Sequence, residues 1–210
     1  MRDFTFNSKE HVYRWLDTGE VIPSVNQLIE KAGLTNFGSV PAGVMAAAQD
    51  RGTKIHLACE FDDLGTLADI DPEHIPYLEG WRQFKSTFEL AFTAQQIELG
   101  MVSEKHNFAG TLDRFYVDHT AKIVWVIDIK SGSALYRTTG LQLAGYAVLL
   151  KENFPELAEY KFVRSAVQLK KSGYLKYKNE PYVNPGDEGT FIEGCVNGNM
   201  EVIQAWLKRA

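Results

Sequence analysis

Cysteine is nearly absent. The chain carries two, Cys59 and Cys195, far apart in sequence. Two thiols at that spacing build neither a zinc site nor a cysteine-ligated iron–sulfur cluster. A lone disulfide stays open, but free thiols in a reducing compartment are the expected state. Long apolar runs are missing too, so no segment is expected to cross a bilayer. Met1-Arg2-Asp3-Phe4 opens no secretory leader, and a cytoplasmic protein is expected. Positive charge is in deficit, with 22 Lys and Arg against 27 Asp and Glu, a formal net charge of −5. That balance excludes a basic nucleic-acid coat protein. It leaves room for an enzyme with a local basic groove and a carboxylate-rich metal centre. Neither internal repeats nor low-complexity segments occur.

What remains is 210 residues, 45% hydrophobic, enough for one sizeable core. Val12–Trp15, a turn at Asp17–Glu20 and Val21-Ile22 read as a hairpin. Ser24 and Gln27 form a capping box for a helix through Lys31, ended by Gly33. Pro41 opens a second helix towards Phe61, with a kink or break open at Gly52. An acidic loop at Asp62–Glu73 precedes a helix from Ile75 through Trp81, Phe84 and Phe88. Strands follow at about Gln96–Glu104, Gly110–Val117 and Lys122–Lys130, then a helix from Thr139 to Glu152. Strands Lys161–Leu169 and Tyr174–Tyr177 flank a turn, and a helix from Glu188 to Arg209 ends the chain. This order predicts an α/β (α+β) fold with a central mixed β-sheet flanked by helices. We expect one domain over 1–210, with 1–40 an appended hairpin and helix and 41–210 the core.

The chemistry concentrates where the apolar strand Ile123–Ile127 runs into Asp128-Ile129-Lys130. An acid and a base at a buried strand end cost desolvation free energy unless a cation and an anion compensate them. Residues two apart share a face, so Asp113 lies with Thr111 and Phe115, and Asp128 with Val126 and Lys130. A turn at His119–Ala121 sets Asp113 opposite Asp128, with Cβ atoms about 5 Å apart. Two carboxylates that close raise one pKa unless a cation sits between them. A slip of one residue would need a bulge to keep them together. A buried salt bridge from Asp113 to Arg114 or Lys130 is the plain alternative.

Gly110-Thr111-Leu112-Asp113 followed by Asp128-Ile129-Lys130 resembles the core of PD-(D/E)XK nucleases, in particular their RecB-like branch. Two further motifs of that branch are present, Gly52-Thr53-Lys54-Ile55-His56 upstream and Gln142-Leu143-Ala144-Gly145-Tyr146 downstream. The likeness covers about Gly52 to Leu150, and the flanks are generally similar to phage-type exonucleases. It implies a restriction-endonuclease-like core and a Mg2+- or Mn2+-dependent exonuclease acting on DNA ends in recombination, replication or repair. An endonuclease, structure-specific or non-specific, is the runner-up; a silent DNA-binding module on the same fold is the second class. Without cysteine ligands, the iron–sulfur members of the branch are not a model for this chain.

The resemblance implies one or two metal ions held by His56, Asp113, Asp128 and the Ile129 carbonyl. Lys130 would position or activate the attacking water. Gln142 and Tyr146 would touch the substrate backbone or the surroundings of Lys130. Thr138 and Thr139 begin that helix, where a phosphate is favoured, and Arg137 beside them is a candidate phosphate contact. Glu60, one turn after His56, is read as orienting it or joining the site through water. Glu104 is a candidate supporting acid. DNA is the implied partner, with a single-strand annealing or recombination protein and a homo-oligomer as further implied partners and no membrane.

One basic stretch is separate. Lys161, Arg164, Lys170, Lys171, Lys176 and Lys178 occur between Tyr160 and Asn179 with no acid, interleaved with Tyr174 and Tyr177. That pattern suits DNA-backbone contact, or equally an edge hairpin guarded by lysines.

Overall fold

The computed structural model describes residues 2–8, 10–35 and 41–209, apart from the side chain of Ala42. A small antiparallel sheet comes first: β1 (Phe4–Asn7), β2 (Val12–Trp15) and β3 (Val21–Ile22). The sequence reading has no β1. Its Phe-Thr-Phe alternation packs Phe4 and Phe6 on Tyr13, whose ring stacks 4.4 Å from Phe6. Helix α1 (Val25–Lys31) starts at the expected capping box: Ser24 Oγ accepts from the Gln27 N–H, and Gln27 Oε1 from the Ser24 N–H. Gly33, with φ +73°, follows its end.

Helix α2 (Ala42–Asp63) runs unbroken across Gly52. A Gly inside a helix costs about 1 kcal/mol relative to Ala. Here Ile55 and Cys59 on the same helix are buried, and that packing outweighs the local preference. Helix α3 (Ile75–Thr87) lies beside it, burying Tyr77, Leu78, Trp81 and Phe84.

The main sheet has the order β4 (Ile97–Ser103), β5 (Phe108–Asp118), β6 (Ile123–Lys130), β7 (Lys161–Leu169), β8 (Tyr177–Pro181). All neighbours are antiparallel except β6 and β7, which run parallel and are joined through α4 (Thr138–Asn153). Parallel neighbours need such a crossover, and its helix covers one face. That face carries α1, α4 and the C-terminal helices over Leu112, Phe115, Val124 and Val126. The other carries α2 and α3 over Ile127, Ile129, Val167 and Leu169. The result is a mixed sheet flanked by helices, as the element order predicts.

Two boundaries differ from expectation. Strand β8 begins at Tyr177 rather than ending there. The C-terminal helix is three pieces: α5 (Asp187–Thr190), a π-helical stretch Phe191–Val196, and α6 (Met200–Lys208). Gly198 at φ +74° breaks the run, and Asn199 caps α6 by accepting from the N–H groups of Glu201 and Val202. The π-turn sets Phe191 edge-on to Phe108, at 5.2 Å between ring centres. Both cysteines are free and buried. No helix among the described residues is long and apolar enough to cross a membrane.

Candidate active site

The site forms at one edge of the main sheet, where β6 ends. The β5–β6 ladder is last paired at Arg114↔Ile127, one step short of Asp113 and Asp128. Phe108 and Leu112 share a core with Phe115, so the side-chain alternation of β5 slips by one around Asp113. On β4, Ile97 pairs with Arg114 and Leu99 with Leu112, leaving Glu98 between them. Glu98 has φ +45°, a left-handed conformation that costs a non-glycine residue about 1 kcal/mol or more. The distortion turns both acids towards the sheet edge.

There Asp113 Oδ2 accepts a 2.6 Å hydrogen bond from the Ile129 N–H, replacing the ladder bond the slip removes. His56 reaches over from α2. Its Nδ1 lies 3.7 Å from Asp113 Oδ2 and 3.8 Å from Glu98 Oε1. A carbonyl only accepts, so the 2.9 Å contact between His56 Nε2 and the Ile129 oxygen is an N–H donated to it. In the neutral ring this places the proton on Nε2 and turns Nδ1 towards the acids, the arrangement that orients metal-binding imidazoles; without a cation the acids hold a proton on Nδ1 as well. The Ile129 carbonyl, expected as a metal contact, also holds the ring, which takes one of its two lone pairs. Ligand atoms of His56, Glu98 and Asp113 all lie within 4.8 Å of one another.

Lys130 Nζ is 2.8 Å from Asp128 Oδ2 and donates to Gln142 Oε1 at 3.0 Å. Gln142 Nε2 in turn donates to the Tyr146 hydroxyl at 3.3 Å. Gln142 and Tyr146 are both buried and support Lys130 from behind, with Gln142 also reaching the wall of the cleft. Gly110 makes room for this: a Cβ there would fall 2.8 Å from the Tyr146 ring.

The electrostatics are those of a site short of positive charge. Burial pushes the Asp128 carboxyl up to about 6, Asp113 adds to the rise, and Lys130 opposes it. Burial and the Glu98 charge raise Asp113 as well, against the pull of His56. Burial lowers the His56 pKa, but Asp113 and Glu98 overcome it and hold the ring at about 9. Lys130 also stays above its ordinary value: burial disfavours its charge, and Asp128 and Asp113 more than restore it. Asp128 Oδ2 is buried, and its contact with Lys130 lacks hydrogen-bond alignment. The donor set of carboxylate oxygens plus one imidazole suits a hard or borderline divalent cation.

Glu98 is absent from the sequence reading. Its signal is an acid inside the apolar run Ile97-Glu98-Leu99. Behind it stands Arg114, fully buried, donating to Glu98 Oε1 at 3.0 Å and Asp63 Oδ2 at 2.7 Å. Asp63 also accepts from Trp81 Nε1 at 2.9 Å and Lys85 Nζ at 2.5 Å. The last residue of α2 thus fixes α3, β5 and the Glu98 carboxylate together. The Asp113 carboxylate forms an ion pair with neither partner of the plain salt-bridge alternative; Arg114 donates instead to the Asp113 backbone carbonyl at 2.5 Å.

The remaining expected residues divide. Glu60 sits beside Glu98, where burial and then the Glu98 charge raise its pKa. Thr139 lines a cleft of about 370 Å3 with Lys130, Gln142, Thr138, Asn26 and Ile29. Glu104 is not at the site. It lies six residues along β4 from Glu98, about 20 Å at strand rise, and accepts from the Arg2 backbone N–H at 2.5 Å. Arg137 is also corrected. Its guanidinium donates to the carbonyls of Trp206 and Leu207 at the end of α6 and stacks 3.8 Å over the Trp206 ring. It caps a helix C-terminus, whose free carbonyls attract a cation.

Comparison with known proteins bears on this geometry. A family model described as the PD-(D/E)XK nuclease superfamily matches residues 65–193, which include Glu98, Asp113, Asp128, Lys130, Gln142 and Tyr146. A solved structure from Eubacterium rectale, described as a candidate exonuclease, is 10% identical and aligns over 85% of this chain and 72% of its own, with a TM-score of 0.47. No curated protein matches the chain. With the acids, the histidine and the lysine gathered at one sheet edge and the family model spanning most of them, this chain belongs to the PD-(D/E)XK nuclease superfamily.

Proposed function

We propose that the chain is a divalent-metal-dependent deoxyribonuclease that degrades DNA from its ends. One observation carries the reading: the His56 imidazole and the Glu98 and Asp113 carboxylates converge at one sheet edge beside the Asp128–Lys130 pair, and burial holds Asp113 and Asp128 towards protonation. Buried carboxylates in that condition gain from a cation. His56 through Nδ1, Glu98, Asp113 and Asp128 would hold Mg2+ or Mn2+. When bound, the ion lowers the pKa of water and stabilises negative charge on the phosphate.

The chain's own groups supply the rest. Lys130 stays protonated beside Asp128, so it serves as a donor to the water or phosphate oxygen rather than as a base. Gln142, backed by Tyr146, holds its ammonium in place. Thr139 lies in the first turn of α4 and lines the cleft beside Lys130, although its own N–H and that of Gly140 already donate to the Tyr136 and Arg137 carbonyls. The preference for ends rests on the general likeness of the flanking segments to phage-type exonucleases.

Linear and closed circular DNA, incubated with Mg2+ or Mn2+ and with a chelator, test the reading. Metal-dependent loss of linear DNA alone is expected, and Lys130→Ala should abolish it. Cutting of closed circles would make the enzyme an endonuclease. Inertness of both forms would leave a DNA-binding module.

A further inference from the structure

The basic stretch read from the sequence is largely spent inside the fold. Arg164 is buried and donates to the carbonyls of Gly140 at 3.3 Å and Asn184 at 2.6 Å, with Asp187 Oδ2 3.4 Å away. Lys176 pairs with Glu79, and Lys178 with Glu180 at 2.7 Å. Tyr177 packs edge-on against Phe84, and its hydroxyl bonds Thr87. Lys161 starts β7 at the level of Ile123, the far end of β6 from Lys130.

What is left is the β7–β8 connection. Lys170 and Lys171 have no acidic partner among the described residues, and Tyr174 beside them is 94% exposed. The loop is nevertheless fixed. Gln83 on α3 donates to the Tyr174 carbonyl at 3.3 Å and accepts from the Lys176 N–H at 2.9 Å. The Lys170 N–H closes the loop on the Lys176 carbonyl at 2.7 Å, and Gly173 turns it with φ +103°. Gly80 lets α3 approach this closely, since a Cβ there would meet the Lys176 oxygen at 2.2 Å. The Tyr174 ring itself, held out above this anchored backbone, adds nothing to the core.

Its position supplies the meaning. β7 is parallel to β6 with Lys130 level with Gln168, so Lys170 emerges two residues beyond the active-site edge. From strand geometry its Cα is roughly 8 Å from that of Lys130. A duplex offers lysines its phosphates but keeps its base faces stacked. An exposed ring gains only where a base face is free, and base–aromatic stacking beside a basic track is how single strands are held. In a chain of net charge −5, two unpaired lysines next to the catalytic edge are a local exception.

We propose that Lys170–Leu175 is a landing site for unpaired nucleotides at a DNA end, with a base stacked on Tyr174 and phosphates on Lys170 and Lys171. This rests on the nuclease reading and adds to it a preference for single-stranded ends over blunt duplex.

The test measures binding of a labelled single-stranded oligonucleotide and a blunt duplex of equal length, in chelator, by fluorescence anisotropy. Tyr174→Ala should weaken single-strand binding about tenfold, within the 1–3 kcal/mol typical of one stacked base, while Tyr174→Phe binds as the parent. Duplex binding should not respond to Tyr174→Ala. The double change Lys170→Ala/Lys171→Ala should reduce the slope of log affinity against log salt by about 1.4 on single strands, at 0.7 per phosphate. Hydrolysis of bis(p-nitrophenyl) phosphate with Mn2+ should be unchanged in all three variants. Parental single-strand affinity in Tyr174→Ala, or an equal loss on duplex, overturns the proposal. If the parent hydrolyses neither DNA nor the small diester, the nuclease reading falls, while a selective loss in Tyr174→Ala would still establish the landing site.

Discussion

Asp63 shows how far the site depends on a residue outside it. Its carboxylate is wholly buried and takes hydrogen bonds from Arg114, Lys85 and Trp81. Lys85 keeps Asp62 at 2.9 Å if Asp63 is lost, so its share of the damage is small. Arg114 is in a different position. Its side chain has no solvent exposure, and Glu98 would be its only remaining carboxylate among the described residues. Breaking a buried pair from one side costs about 3–5 kcal/mol. With Glu98 compensating in part, Asp63→Ala should cost about 3 kcal/mol. For a chain of this size that lowers Tm by roughly 6–12 °C. Urea unfolding with an unchanged m-value measures it. Calorimetric titration of Mn2+ should also show weaker binding, because Arg114 then draws Glu98 away from the site. Adding Arg114→Met to Asp63→Ala should recover stability, since no uncompensated buried charge remains. A loss below about 1 kcal/mol, or a double variant less stable than the single one, refutes the reasoning.

Two other outcomes follow from the site. His56 is raised from 6.5 to about 9 and Asp128 from 3.8 to about 6, so their protonated forms stabilise the metal-free protein. The His56 contribution is complete below 6.5 and gone above about 9; that of Asp128 is complete below 3.8 and gone above about 6. Metal needs the neutral ring and charged carboxylates, so the Tm gain from Mn2+ should be larger at about pH 8.5 than at about pH 6. Equal gains at both would contradict this assignment of ligands. Gln142→Ala should lower kcat about tenfold with KM nearly constant, because it frees the Lys130 ammonium without removing a substrate contact. A KM effect alone, measured on a short oligonucleotide, would return Gln142 to direct substrate binding.

Local pattern was enough to find the hairpin of β5 and β6, the crossover helix α4 and the capping box of α1, because alternation, helical spacing and caps act over a few residues. The same local chemistry pointed to Asp113, Asp128, Lys130 and, with the motif on α2, His56. Glu98 and Arg114 were hidden: one depends on a strand distorted at a left-handed residue, the other on a carboxylate 51 positions away. Arg137 and Glu104 misled for the converse reason. Each carries suitable charge, but contacts distant in sequence, at α6 and Arg2, had already claimed it.

The order of residues alone thus pointed to His56, Asp113, Asp128 and Lys130, and to a mixed sheet that would carry them. Only the folded chain decided which charges are satisfied internally and which are left facing the cleft. Burial and counter-charge are sums over neighbours far apart in sequence, and those sums exist only once the sheet, α2 and α3 have closed around Arg114 and Asp63.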